Sequence, residues 1–167
     1  MTKVIKLRKG LDINLKGTAC KGTISALKSG EYALVPESFC GVIPKVVVHE
    51  GDKVKAGEAL FVSKKYPEVK FSSPVSGIVE GILRGERRKV LYVKIKADEE
   101  QEFVDFGLKN VESLDAEAVK KALLDAGLFG YINQLPYAVS TTPDTEPKAI
   151  FVSAFRDMPL ASDSEVE

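Results

Sequence analysis

The sequence predicts a small β-barrel or β-sandwich followed by the opening of an α/β segment. Three observations carry this. Short β-branched runs separated by glycine turns fill residues 35–97. One amphipathic helical segment follows over 115–128. A near-continuous apolar run, Ala149-Ile150-Phe151-Val152-Ser153-Ala154, comes after the last loop. The chain thus reads as an N-terminal strand segment over 1–34, a β-domain over 35–97 and an α/β segment over 98–167.

Val4 to Leu15 keeps Ile5, Leu7, Leu11, Ile13 and Leu15 at odd positions, broken at Gly10. Period-two patterning predicts a strand bent near Lys9-Gly10 and pinned to a sheet. Ala19 to Leu34 is mixed, with a turn signal at Ser29-Gly30, and leaves strand and loop both open. Val46-Val47-Val48 reads as a strand, and Gly51-Asp52 turns the chain. Val54 is an apolar anchor and Ala56-Gly57 turns the chain again. Ala59 to Ser63 is the next strand. Val69-Lys70-Phe71 follows, then a break at Ser72-Ser73-Pro74, then a strand over Gly77 to Leu83. Val90 to Lys96 alternates, with Leu91, Val93 and Ile95 on one side and Tyr92, Lys94 and Lys96 on the other. Gly41-Val42-Ile43 leading to Gly51, and Gly77-Ile78-Val79 leading to Gly85, form a weak internal repeat.

Asp98-Glu99-Glu100-Gln101-Glu102 is an acidic, solvated boundary. Beyond it, Asp115 is a natural N-cap, and Glu117 places negative charge in the first turn. Leu114 and Val119 fit a hydrophobic staple. Val119, Ala122, Leu123 and Ala126 are the expected buried stripe, and Gly127 supplies the left-handed terminal residue. Pro136 to Pro147 is loop. The apolar run from Ala149 suits a strand buried on both faces, which needs neighbours and a crossover helix. None follows, so the chain reads as a fragment ending at the start of a larger α/β domain.

Composition excludes several function classes. The 167 residues carry 24 Lys+Arg against 24 Asp+Glu, with no basic excess to hold nucleic acid. Hydrophobic content of 44% and charged content of 29% fit a globular chain rather than a disordered one. No apolar run approaches the roughly 18 residues that span a bilayer. Lys3, Lys6, Arg8, Lys9 and Asp12 leave no apolar stretch for a secretory signal. These features predict a soluble cytosolic chain.

Chemistry-bearing residues are few. His49 is the single histidine and sits in a turn. A Ser/His/Asp triad would have to use it, and an exposed turn histidine is the expectation. Cys20 and Cys40 lack CxxC spacing and are expected to be small buried residues. Gly77, Gly81 and Gly85 lie four apart in strand-like sequence without the Gly-Lys-Ser/Thr ending of a phosphate loop. Arg84-Gly85-Glu86-Arg87-Arg88-Lys89 is a basic turn, either a solvated hairpin or a contact for an acidic partner or lipid head groups.

Val48 to Leu60, with Gly51-Asp52, Val54, Gly57 and Leu60, followed by Ser73-Pro74-Val75-Ser76-Gly77-Ile78-Val79, resembles the biotinyl/lipoyl carrier domain. That resemblance implies a barrel-sandwich hybrid of two similar halves. Carriers place a modified lysine at a hairpin tip, in biotin carriers between two methionines. Here the hairpin reads Ser63-Lys64-Lys65-Tyr66-Pro67-Glu68-Val69, and the only methionines are Met1 and Met158. Lys64 and Lys65 are the candidate lysines under a carrier reading, although Pro67 stiffens the loop.

A broader resemblance spans nearly the whole chain. Ile5-Lys6-Leu7-Arg8-Lys9-Gly10-Leu11-Asp12, Asp52-Lys53-Val54-Lys55-Ala56-Gly57, Lys64-Lys65-Tyr66-Pro67 and Pro74-Val75-Ser76-Gly77 look like the A subunit of the sodium-translocating NADH:quinone oxidoreductases. So do Arg84 to Arg88, Leu124 to Phe129 and Ala149 to Ala154. The resemblance implies a barrel-sandwich hybrid followed by the start of a Rossmann-like α/β domain. It further implies a peripheral, non-redox subunit on the cytoplasmic face of a bacterial inner membrane, within a complex that oxidises NADH, reduces ubiquinone and exports sodium. The complex uses NADH, flavins, iron–sulfur centres and ubiquinone, while this fragment is expected to hold no cofactor. The implied partners are the other subunits, especially the B subunit, and ubiquinone. Arg84, Arg87 and Arg88 are the candidate docking residues. A carrier domain, or the C subunit of the related electron-transport complex, are the alternatives.

Overall fold

Glycine turns and β-branched runs give strands too short for an extended sheet, so they stack in two layers. The structure is a computed structural model that describes residues 16–17, 29–108 and 110–152. The chain divides into one unit of Lys28–Glu146 and another of Met1–Leu27 with Pro147–Glu167. The expected strand over Val4 to Leu15, and Cys20, lie outside the described residues.

The elements of the Lys28–Glu146 unit are β1 (Glu31–Leu34), β2 (Pro44–Val46), β3 (Lys53–Val54), β4 (Ala59–Ser63), β5 (Lys70–Ser72), β6 (Gly77–Arg84), β7 (Val90–Ala97), α1 (Ala116–Asp125), β8 (Asn133–Gln134) and β9 (Val139–Ser140). One sheet runs β1-β7-β6-β3 and a second runs β2-β4-β5; β8 and β9 form a small hairpin. All the strand pairs are antiparallel. The two glycine-led repeat units enter opposite layers, with β2 in one sheet and β6 in the other. The undecided segment before Leu34 resolves as β1, which pairs with the distant β7 through Tyr32 opposite Ile95. The strand expected at Val46–Val48 ends at Val46, and Val47 is exposed.

The core between the layers holds Phe39, Val54, Leu60, Phe61, Phe71, Val79, Val93 and Ile95 among its buried members. Phe61 and Phe71 stack at 4.7 Å, and Phe39 closes on Phe71 at 4.3 Å. Offset aromatic pairs add to the area they bury.

Bulges decide which residues enter this core. In β6, Val79 opposes Ile95 and Gly81 opposes Lys94, so Glu80 is the extra residue. The inward parity changes there, and Ile82 packs on the core where Gly77 and Val79 did before it. The amide of Ile82 donates to Glu50 Oε1 at 3.1 Å, which covers part of the strand's outer edge. In β7, Leu83 opposes Tyr92 and Arg84 opposes Val90, so Leu91 is skipped. This corrects the expected alternation: Val93 and Ile95 point inward, but Val90 joins them, and Leu91 lies against Gly85 instead.

The helix follows its sequence signals. Asp115 caps it, its Oδ1 accepting from the Ala118 amide at 2.8 Å. Gly127, at φ +72°, ends it in a Schellman arrangement. The Leu128 amide donates to the Leu123 carbonyl and the Gly127 amide to that of Leu124. Ser72 of β5 donates to the Ala126 carbonyl at 3.1 Å, which joins the helix end to the barrel. A Cβ on Gly127 would overlap Ser72 Oγ and come within 3.0 Å of Ser72 Cβ. Leu123, Leu124 and Phe129 pack on the barrel core, so helix and barrel share it. The expected buried stripe is corrected in one respect: no residue of α1 is fully buried, because the helix meets the barrel mainly through its C-terminal half.

Ala149 to Val152 carries no strand, and Ile150, Phe151 and Val152 are 69%, 84% and 85% exposed. The expected buried strand is therefore absent here. A strand needs a hydrogen-bonded neighbour, and none of the described strands pairs with this run. Ser153 and Ala154 lie outside the described residues. Among the described residues, no helix is long and apolar enough to cross a membrane.

Candidate functional site

Two hairpins carry the residues that the sequence marks for function. The first joins β4 to β5. The Ser63 amide donates to the Val69 carbonyl at 2.9 Å, which closes a tip over Lys64 to Glu68. This tip is held from both sides. The Lys64 amide donates to the Ile43 carbonyl at 2.8 Å. Tyr66 donates its hydroxyl to Asp144 Oδ2 at 2.9 Å, across 78 positions of sequence. Thr142 also donates to Asp144, and these two hydroxyls, Thr142 foremost, hold its carboxyl below the usual aspartate range.

Lys64 and Lys65 are both exposed at this tip. The Lys65 ammonium lies 4.9 Å from the centre of the Tyr66 ring. The Tyr66 oxygen, with a smaller contribution from Asp144, raises the Lys65 pKa above the ordinary lysine value. An amine must lose its proton to attack an activated acyl group, so this setting works against acylation of Lys65.

The second hairpin joins β6 to β7. The Gly85 amide donates to the Lys89 carbonyl, and the Lys89 amide to that of Glu86. Arg87 (φ 54°) and Arg88 (φ 61°) occupy the two central positions of this turn, both left-handed. That is the geometry of a type I′ turn, which matches strand twist and favours Asn-Gly. An L-residue pays about 1–2 kcal/mol there. Lys89 pairs with Glu37 at 3.2 Å. Among the described residues no carboxylate pairs with Arg84, Arg87 or Arg88. The structure thus brings three uncompensated guanidinium groups to one exposed hairpin, which suits an acidic surface.

The left-handed pair yields a prediction. Arg87→Asn with Arg88→Gly should raise stability by about 1 kcal/mol, read as a higher urea midpoint at unchanged slope. Unchanged or lowered stability would show that the turn carries no such strain.

The other sequence candidates are spread apart. His49 is exposed, with Nδ1 3.5 Å from Asp52 Oδ2, and belongs to a turn. Cys40 is exposed rather than buried, which corrects that expectation: it lies in the tight turn between Phe39 and Gly41, and its carbonyl is engaged by the Ser140 amide. Sequence reasoning missed Tyr66 and Asp144 as a pair, since nothing local links them.

Residues 5–98 match the family described as the NqrA N-terminal barrel-sandwich hybrid domain, and residues 114–167 match the NqrA second alpha/beta domain. The A subunit of the Na(+)-translocating NADH-quinone reductase of Yersinia pseudotuberculosis serotype O:1b (strain IP 31758) is 36% identical over 165 residues. Its counterpart from Photorhabdus laumondii is 38% identical over 165 residues, and that from Serratia proteamaculans 37% over 167. Each alignment covers 98% of this chain and 37% of the relative, so the chain spans a little over a third of the length of the curated relatives it matches. With barrel and second domain matched in this order, the chain belongs to the NqrA family.

Proposed function

We propose that the chain serves as a peripheral, non-redox part of a sodium-translocating NADH:quinone oxidoreductase, seated on the cytoplasmic face of a bacterial inner membrane. There it assists assembly and contributes to quinone reduction. The complex as a whole uses NADH, flavins, iron–sulfur centres and ubiquinone, and this chain holds none of them. Residues 35–97 act as a rigid barrel and residues 98–167 open the α/β domain, with residues 1–34 as an N-terminal strand segment. The observation that carries the reading is identity of 36–38% over 98% of the chain to proteins named as the A subunit of that reductase.

The docking part of the proposal rests on the β6–β7 hairpin. Arg84, Arg87 and Arg88 approach an acidic surface of the membrane-bound B subunit. Each exposed contact is worth at most about 1 kcal/mol, so the three act together. Reversing all three to Glu in the full-length protein should lower recovery of the assembled complex on affinity purification. The loss should shrink as salt is raised, because screening weakens the native contacts and the new repulsion alike. Unchanged recovery at low salt rejects the docking role. The carrier reading is weaker: Lys65 is held protonated and its neighbour Tyr66 is tied to Asp144.

A further inference from the structure

The incomplete seating of α1 leaves a cleft of about 560 Å³ between the helix, the barrel and the segment after β7. Small-molecule sites commonly occupy roughly 300–1,000 Å³. Ala59 of β4, Phe106, and Ala118 and Ala122 of the helix give it an apolar wall. These alanines lie on the helix stripe that the barrel core leaves half-buried. The segment bearing Phe106 is held in place by backbone pairing, the Ala56 amide to the Glu102 carbonyl and the Val104 amide to the Ala56 carbonyl, both at 2.9 Å.

One end of the cleft is charged. The Asp125 carboxylate meets the Lys121 ammonium at 2.7 Å and the Lys70 ammonium at 3.3 Å. Two cations share one anion, so this end has positive charge to spare. Glu58 is the remaining acid of the lining, and its Oε2 accepts from the Lys55 amide at 3.0 Å.

We propose that this cleft binds a small organic anion with an apolar body. The anionic group takes an ammonium of the Lys70–Lys121 pair, and the hydrocarbon body lies on Phe106, Ala118 and Ala122. A cation would face two like charges, and a neutral molecule would leave the lysines unused. A fatty carboxylate and a flat aromatic acid share this chemistry, and the test separates them.

The 167-residue chain is titrated with anilinonaphthalene sulfonate, followed by its fluorescence, with decanoate, naphthoate and neutral naphthol as competitors. The expected result is saturable binding to one site. Displacement by decanoate assigns a lipid-like acid and displacement by naphthoate an aromatic one, while naphthol competes at least about tenfold more weakly than the matched anion. Lys121→Glu should weaken binding about tenfold or more, and Ala122→Phe should fill the cleft and abolish it. Ala122→Phe risks unseating the helix. Lys121 is 79% exposed, so its variant, checked for native circular dichroism, decides the outcome. Unchanged affinity in Lys121→Glu, failure of both anions to compete, or equal competition by naphthol overturns the proposal.

Discussion

Gly77→Ala should cost more than about 4 kcal/mol and leave most of the chain unfolded at room temperature. Gly77 stands in the middle of the four-stranded sheet, opposite Ala97 of β7 on one side and Val54 of β3 on the other. A Cβ there would overlap the carbonyl oxygen of Lys96 and lie 2.9 Å from its carbonyl carbon, which is backbone and has no room to retreat. The preceding residue is equally fixed. Ser76 is fully buried, its amide donates to Gln101 Oε1 at 2.7 Å, and its hydroxyl accepts from the Glu102 amide at 2.9 Å. Relief would require β6 and β7 to part along their length. Gly30→Ala is the matching control, since nothing lies within 4 Å of its added Cβ. It should stay within about 0.5 kcal/mol of the parent. Urea unfolding followed by circular dichroism reads both. A Gly77→Ala variant as stable as Gly30→Ala would contradict the described sheet.

Phe71→Ala should cost about 3–5 kcal/mol and loosen α1 together with the barrel. The Phe71 ring is fully buried between Phe39 and Phe61. Its edge also fills the space that a side chain on Gly130 would need, with a Cβ there only 2.5 Å away. Gly130 lies in the turn after α1, beside the buried Phe129, and both meet the barrel through this ring. The cavity left by alanine therefore opens at the junction of helix and barrel rather than inside one sheet. The equilibrium unfolding midpoint should fall in a single transition for helix and sheet signals. Two separate transitions, or a loss below about 1 kcal/mol, would mean that the two parts do not share a core.

The parts legible in the sequence were those fixed by local rules. β4 ends where its apolar run ends, at Ala59 and Ser63. Asp115 and Gly127 bracket the helix because their chemistry is specific to helix termini. The bulges were not legible. Nothing at Glu80 or Leu91 announces an extra residue, yet each reverses the inward face of its strand. β1 was left undecided because its partner β7 lies far along the chain and its own four residues lack clear alternation. At the hairpins, the basic turn was visible as charge, but its left-handed arginines were not, since arginine has no preference for that backbone. The Tyr66–Asp144 bond joins residues 78 positions apart and needs the folded chain to exist. The cleft beside α1 was hidden for the same reason: apolar spacing shows which face of a helix turns inward, not how far the barrel reaches to meet it.

Intact-mass spectrometry of the chain, after co-expression with biotin and lipoyl ligases, bears most directly on whether this barrel works as a scaffold rather than a carrier. The unmodified mass is expected, because the hairpin bearing Lys64 and Lys65 is anchored by Tyr66 and keeps Lys65 charged. A biotinyl or lipoyl adduct mapped to Lys64 or Lys65 would contradict the scaffold role.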